Sequence, residues 1–126
     1  MRALFVDDEL EFLELMQKRL VRRGMEVATA PDGQSALNMV DEALAPGGEP
    51  FNIVVMDVRM PGMDGLETLR HMKQKAPKLP VLLLTGHACM GVAVEGLDLG
   101  AYDYMLKPVA ISELIIKMEE AARSAM

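Results

Sequence analysis

The chain has 126 residues, enough for one domain with a core of its own and too few for two large ones. Hydrophobic residues make up 51% of the sequence and charged residues 25%, an ordinary composition for a soluble globular protein. The formal net charge of −6 argues against nucleic acid as a direct partner, because contacts to phosphates need clustered Lys and Arg.

Two features of the sequence bear on the compartment. Cys89 is the one cysteine of the chain and cannot form an internal disulfide, which favours a reducing environment. The apolar run at the N-terminus meets acids at Asp7, so it is too short for a signal peptide or a membrane span. We therefore expect a cytoplasmic protein without a membrane partner.

The N-terminal part predicts a strand followed by a helix. Residues 3–6 form a short apolar run that ends at acids. Residues 10–23 place apolar side chains at helical spacing, and Gly24 stands where the C-terminus of a helix is commonly capped.

The next segment repeats this pattern. Residues 25–29 predict a second strand, and residues 34–44 predict a second helix with Asp32 as its N-cap. Residues 51–56 predict a third strand that stops at Asp57. The unbroken apolar run at 53–56 is typical of a central strand that is covered on both faces.

The remaining residues alternate in the same way after a turn at residues 60–65, where Gly and Pro are frequent. The predicted elements are a helix at 66–76, a strand at 81–84, a helix at 91–99, a strand at 102–106 and a helix at 112–123.

Five strand–helix pairs predict a single α/β domain over residues 1–126. We expect a doubly wound (βα)5 flavodoxin-like fold, with a five-stranded parallel sheet in the order 2-1-3-4-5 and helices on both faces. In this order the first and third strands are neighbours, and ligands bind beyond their carboxyl ends.

Side chains that can bind a metal ion or react follow four of the strands at that carboxyl edge. Asp7 and Asp8 follow the first strand, Asp57 ends the third, Thr85 the fourth and Lys107 the fifth. Three close carboxylates repel one another, and Mg²⁺ relieves this because it prefers oxygen ligands. A carboxylate beside Mg²⁺ can attack phosphorus and form an aspartyl phosphate, whose oxygens an amine and a hydroxyl can bind. The pattern therefore indicates magnesium and phosphoryl chemistry, and the lack of His and Cys in the group disfavours zinc.

Four segments resemble the receiver domains of bacterial two-component response regulators, in register over essentially the whole chain. They are Val-Asp-Asp-Glu at 6–9, Met-Asp-Val-Arg-Met-Pro-Gly-Met-Asp-Gly at 56–65, Leu-Thr-Gly-His at 84–87 and Tyr-Met-Leu-Lys-Pro at 104–108. The second and third segments resemble, more narrowly, receivers that precede sigma-54-type transcriptional activators.

The resemblance implies a phosphoprotein of a two-component phosphorelay that catalyses only its own phosphorylation and dephosphorylation. Asp57 would accept the phosphoryl group from a histidine kinase or a histidine phosphotransfer protein. Asp8 and Asp57 would ligate Mg²⁺ directly, Asp7 through water, and Arg59 through its backbone carbonyl. Lys107 would contact the phosphoryl group.

The resemblance also implies a switch and an output surface. Thr85 would move toward the phosphoryl group and Tyr104 would change rotamer, while Arg59 and His87 would tune the phosphate lifetime. The fourth helix, fifth strand and fifth helix, residues 90–126, would contact a downstream protein or effector domain, or a second copy in a phosphorylation-dependent homodimer.

Two further expectations concern the connection to the last helix. The Lys107–Pro108 peptide bond is expected to be cis, as it is in the family. Ala110 stands where many relatives place a polar capping residue, so Ser112 is the candidate N-cap of the helix instead.

Three other functions compete with this interpretation. A flavodoxin-like cofactor binder needs a phosphate loop rich in Gly, Ser and Thr after the first strand, where this chain has acids at 7–9. A phosphatase with an aspartyl nucleophile carries a second acid two residues later, where this chain has Arg59. A receiver-like interaction module that acts without phosphorylation would not need the acids, Thr85 and Lys107.

Overall fold

The computed structural model describes residues 1–60 and 62–125, so Pro61 in the predicted turn and Met126 at the end of the predicted output surface lie outside the described residues. The elements are β1 (Arg2–Val6), α1 (Leu10–Val21), β2 (Glu26–Ala30), α2 (Gly33–Leu44), β3 (Ile53–Asp57), α3 (Gly65–Lys75), β4 (Val81–Thr85), a 3₁₀ turn (His87–Cys89), α4 (Met90–Asp98), β5 (Asp103–Leu106) and α5 (Ile111–Ser124). Within the described ranges, no helix is both long enough and apolar enough to cross a bilayer.

The five strands form one parallel sheet in the order β2-β1-β3-β4-β5, which confirms the doubly wound fold. Val6 at the end of β1 pairs with Met56, and Asp57 at the end of β3 pairs with Leu84. Thr85 at the end of β4 pairs with Leu106. The carboxyl ends of four strands therefore lie along one edge of the sheet, as the topology predicts.

Alternate strand residues face two separate hydrophobic layers. One layer packs α2, α3 and α4 against the sheet, and the other packs α1 and α5 against its opposite face. In β1, for example, Leu4 belongs to the first layer and Phe5 to the second. Every residue of β3 and β4 is buried, which explains their unbroken apolar sequences. Full burial of each large apolar side chain contributes about 1.5–3 kcal/mol to stability. The two layers therefore hold the carboxyl ends of the strands in fixed positions.

Asp32 caps α2 as predicted, since its Oδ1 accepts a hydrogen bond of 2.7 Å from the Ser35 amide. This bond from the Ser35 backbone lowers the pKa of Asp32 below its ordinary value of 3.8. The cap is therefore present above that value and is lost as the pH falls through the lower folded-state pKa. We expect Asp32→Ala to lower the free energy of unfolding by about 1 kcal/mol in urea denaturation at pH 7, with a smaller loss for Asp32→Asn.

The start of α5 corrects one prediction. The helix begins at Ile111, and Ala110 occupies the N-cap with an extended backbone and no side-chain hydrogen bond. The prediction that Ser112 caps this helix is wrong, because Ser112 lies inside the first turn. A residue with helical backbone angles cannot adopt the non-helical geometry that an N-cap requires. The Lys107–Pro108 bond that precedes this helix is cis, as the resemblance implies.

Candidate functional site

Three carboxylates converge at the carboxyl edge of the sheet, and we call them the acid cluster: Asp7, Asp8 and Asp57. Each offers an oxygen, and these oxygens lie within 4.8 Å of one another. Asp7 is 1% exposed and Asp57 8% exposed, whereas Asp8 is exposed. The neighbouring positions of β1 and β3 in the sheet bring the group together, as the predicted strand order requires.

Short turns fix the two buried members of the cluster. The amide of Glu9 donates to Asp7 Oδ1 at 2.9 Å, and the amide of Arg59 donates to Asp57 Oδ1 at 3.0 Å. Asp side chains commonly accept from the backbone two residues further on, and this bond turns the chain away from the strand. In both carboxyl groups one oxygen is thereby held by the backbone.

The loop after Asp57 returns to the sheet at Gly65. The Gly65 amide donates to the Val58 carbonyl at 3.1 Å, and a Cβ on Gly65 would lie 2.6 Å from the Cα of Val58. Only glycine permits this close approach. Asp64 then caps α3 by accepting from the Glu67 amide at 2.8 Å, so both ends of the loop are anchored.

Lys107 reaches across the edge of the sheet to the acid cluster. Its Nζ lies 2.7 Å from Asp7 Oδ2, 3.2 Å from Asp57 Oδ2 and 3.5 Å from Glu9 Oε1. Burial alone lowers the pKa of Lys107, but the hydrogen bonds and charges of Asp7 and Asp57 outweigh it, so this pKa lies above its ordinary value of 10.5. Lys107 therefore stays protonated and offsets part of the negative charge of the cluster.

Burial raises the pKa of the Asp7 carboxyl above its ordinary value of 3.8. The negative charge of Asp57 raises this pKa further, while the hydrogen bonds from Lys107 and Glu9 lower it in part. The folded state consequently binds this proton more tightly than the unfolded state does. The free energy of unfolding therefore falls as the pH rises from 3.8, the ordinary value, through the higher folded-state pKa, because Asp7 becomes ionised in a buried position.

Asp7→Asn is expected to stabilise the metal-free protein, and by more at pH 7.5 than at pH 4. The amide removes the ionised group whose burial is unfavourable. Its oxygen can still accept from the Glu9 amide, and Lys107 keeps Asp57 and Glu9 as partners. Urea denaturation of both proteins in a chelator across this pH range measures the difference. A difference between the two proteins that does not change with pH would show that ionisation of Asp7 does not destabilise the folded state.

A cavity of about 590 Å³ opens beside the acid cluster. Its lining residues are Asp8, Glu9, Asp57, Arg59, Met60, Gly86, Ala88, Cys89 and Lys107. Asp57 and Lys107 thus face a space that can admit a small anionic group. Cys89 is half-buried and lines the same cavity.

Three of the predicted switch and tuning residues do not line this cavity, although Gly86 and Ala88 beside two of them do. Thr85 is fully buried, and its hydroxyl donates to the Gly86 carbonyl at 3.1 Å. Tyr104 is half-buried and packs against the layer of α2, α3 and α4. His87 is exposed in the 3₁₀ turn. None of these three lines the cavity as it stands.

Two contacts of Lys107 could not be predicted from the sequence. Glu9 approaches its ammonium group, and the ring centroid of Phe12 lies 4.5 Å from its Nζ. The acidic residues at 7–9 give only a weak indication that Glu9 contacts Lys107. The spacing of residues in α1 gives no indication that Phe12 does, because the position of its ring depends on how the helix packs against the sheet.

This fold and site have counterparts among known proteins. Residues 3–119 match the family described as Response regulator receiver domain. The chain is 38% identical over 118 residues to the transcriptional regulatory protein ZraR of Klebsiella oxytoca, an alignment that covers 94% of this chain and 25% of that protein. It is 37% identical over 123 residues to the response regulator MprA of Mycobacterium avium, covering 98% of this chain and 51% of that protein.

Solved structures agree with this match. A response regulator receiver domain protein from Clostridium thermocellum superposes with a TM-score of 0.90 at 30% identity, covering 98% of this chain and 94% of that one. The receiver domain of NtrX from Brucella abortus gives a TM-score of 0.87 at 33% identity, covering 97% and 98%. The chain is a receiver domain. It belongs to the response regulator receiver family, and its function lies in two-component signalling. The chain spans about a quarter of ZraR and half of MprA.

Proposed function

We propose that the chain is a phosphorylation switch in which Asp57 accepts a phosphoryl group from the phosphohistidine of a histidine kinase or a histidine phosphotransfer protein. The observation that carries this proposal is the contact of Lys107 with Asp57 beside Asp7 and Asp8, at the mouth of a cavity. A carboxylate oxygen of Asp57 would bond to phosphorus as the phosphorus–nitrogen bond of the donor breaks, and the electron pair would leave with the imidazole.

Charge explains why the site needs a cation. The acid cluster carries three carboxylates and Lys107 contributes one positive charge, so an approaching phosphoryl group meets net repulsion. Lys107 would move from the carboxylates toward the phosphoryl oxygens once a cation balances the acids. Because its ammonium group already lies 3.2 Å from Asp57, this needs only a small displacement.

The donor set fits Mg²⁺, which prefers oxygen ligands and keeps several waters. We assign direct ligation to Asp8 and Asp57, ligation through water to Asp7, and a further ligand to the backbone carbonyl of Arg59. When bound, Mg²⁺ supplies charge neutralisation at the phosphoryl oxygens. The exposure of Asp8 and the burial of Asp7 suit these two roles, since Asp8 faces the cavity and Asp7 does not line it.

The conformational switch would begin at Thr85. Its hydroxyl must leave the Gly86 carbonyl and turn toward the phosphoryl group, which would draw the loop after β4 toward Asp57. Tyr104 lies on the neighbouring strand and would change rotamer into the space that this loop leaves. Arg59 and His87, both exposed, would tune phosphate lifetime from the edge of the site.

The output surface would comprise α4, β5 and α5. Its exposed apolar side chains include Val92, Val94 and Ile116, and such side chains are suited to a protein partner. We assign this surface to a downstream protein or effector domain, or to a homodimer that forms on phosphorylation. The narrower resemblance to receivers of sigma-54-type activators belongs to the same proposal.

Intact mass after incubation with acetyl phosphate and Mg²⁺ tests the proposal. We expect the chain to gain the mass of one phosphoryl group and to lose it in hydroxylamine, which cleaves acyl phosphates. No added mass, together with no binding of beryllofluoride in the presence of Mg²⁺, would favour the alternative of an interaction module that acts without phosphorylation.

A further inference from the structure

The uncharged ring of Phe12 in α1 contacts the ammonium group of Lys107. The Lys107 Nζ lies 4.5 Å from the centroid of the ring, within the range of about 6 Å in which an aromatic face attracts an ammonium group. Phe12 is half-buried and packs against the layer formed with α1 and α5. The packing of the helix therefore fixes the ring, and the ring in turn limits where the ammonium group can lie.

This contact differs in kind from the others that Lys107 makes. Asp7, Glu9 and Asp57 attract the ammonium group by charge, and two of them belong to the acid cluster that suits a divalent cation. A cation bound there competes with Lys107 for those carboxylates. The Phe12 ring carries no charge and is not a ligand for a hard cation, so its attraction for Lys107 persists when the carboxylates are engaged.

We propose that Phe12 is a positioning residue for phosphoryl transfer, and that its ring face holds the Lys107 ammonium group at the mouth of the cavity beside Asp57. A lysine side chain has many rotamers, and holding it in place before the phosphoryl group arrives removes an entropic cost from the reaction. The inference rests on the proposed function of Asp57 as acceptor and adds a residue of α1 to the site.

The molecule supplies a matched comparison. The Arg2 guanidinium lies 4.5 Å from the centroid of Phe51, the same separation as in the pair of Lys107 and Phe12. Arg2 begins β1, and Phe51 precedes β3, so this second pair lies at the amino-terminal edge of the sheet, away from the acid cluster. Changes at Phe51 remove a similar interaction without touching the site.

The test measures the rate of phosphorylation by acetyl phosphate, through intact mass, for variants at these two positions. Phe12→Leu keeps an apolar side chain but removes the ring, and we expect phosphorylation to slow about fivefold. Replacement of Phe12 by trifluorophenylalanine keeps the shape but withdraws the electrons that attract the cation, and we expect about a threefold decrease. The same two changes at Phe51 are expected to leave the rate unaltered.

Two results would overturn the inference. One is a trifluorophenylalanine variant at Phe12 that phosphorylates at the wild-type rate, since a purely structural role for the ring tolerates fluorine. The other is an equal loss of rate in the Phe51 variants, which would assign the effect to stability. Thermal melts of all four variants show whether each is folded at the assay temperature.

An NMR measurement without metal or phosphodonor separates this inference from the proposed function. The ring current of Phe12 should shift the Lys107 Hε protons upfield in the wild-type protein, and Phe12→Leu should remove the shift. A wild-type chain that shows the shift but takes no phosphoryl group would defeat the proposed function and the positioning role with it. A chain that is phosphorylated but lacks the shift would defeat the positioning role alone.

Discussion

Asp57→Asn is expected to abolish the uptake of a phosphoryl group from acetyl phosphate, so that the intact mass of the variant stays unchanged under conditions that convert the wild-type chain. The amide is close in size to the carboxylate, and its oxygen can still accept from the Arg59 amide, so the turn after β3 should persist. What is lost is the nucleophile. An amide oxygen does not form a stable acyl phosphate, and the loss should therefore be complete rather than graded.

The neighbouring acids provide the control for this experiment. Asp7 is nearly fully buried, with its oxygens held by the Glu9 amide and by Lys107, whereas Asp8 is exposed and lines the cavity. Asp8→Asn should slow phosphorylation through loss of the cation but leave Asp57 as the acceptor. Borohydride reduction converts an aspartyl phosphate to homoserine and locates the modified residue by peptide mapping. Homoserine at position 8 in the wild-type chain, or added mass on the Asp57→Asn variant, would refute the assignment.

The meeting of the acid cluster with Lys107 could be predicted from the sequence, because each of these residues ends or follows a strand. A parallel sheet places the carboxyl ends of its strands together, so Asp7, Asp57 and Lys107 meet once the strand order is known. The strand order follows in turn from the number of strand–helix units. The prediction depended on topology and did not need the conformation of any side chain.

Contacts made by helices were less predictable. Phe12 meets Lys107 because of the rotation of α1 on the sheet, which depends on the packing of its buried face rather than on the spacing of its apolar residues. The observed ends of helices also differ from the predicted ones. The sequence predicts a first helix to residue 23, yet α1 ends at Val21, and Gly24 with a φ of 84° follows in the turn to β2. Local turn geometry decides such ends, and sequence periodicity does not report it.

Thr85 shows the limit of reasoning from topology alone. It lies at the end of β4 as predicted, but its hydroxyl bonds to the Gly86 carbonyl and not to Asp57 or Lys107. A strand end fixes the position of a backbone, while the rotamer of the side chain depends on the nearest available partner. For Thr85 that partner lies in the next residue, so the movement that the resemblance implies must begin with the loss of this bond.

Millimolar Mg²⁺ is expected to raise the melting temperature of the chain. The three carboxylates of the acid cluster lie within 4.8 Å of one another, with Lys107 between Asp7 and Asp57, so the folded state holds uncompensated negative charge that the unfolded chain disperses. A ligand that binds only the folded state stabilises it by about 2.7 kcal/mol at 100 times its dissociation constant. For a domain of this size that corresponds to a rise on the order of 10 °C. Sodium chloride at matched ionic strength should give a smaller shift, because screening is weak for buried charges.

Asp8→Asn separates the repulsion among the carboxylates from the binding of the cation. Without Mg²⁺ the variant should melt above the wild-type protein, because one of three mutually repelling charges is gone. With Mg²⁺ it should show little further rise, because one ligand of the cation is gone as well. Asp98→Asn, at an exposed acid that ends α4, is the matched control and should respond to Mg²⁺ as the wild type does. If Asp8→Asn and Asp98→Asn gained equally from Mg²⁺, the cation would be acting on the general surface charge, and the acid cluster would not be its site.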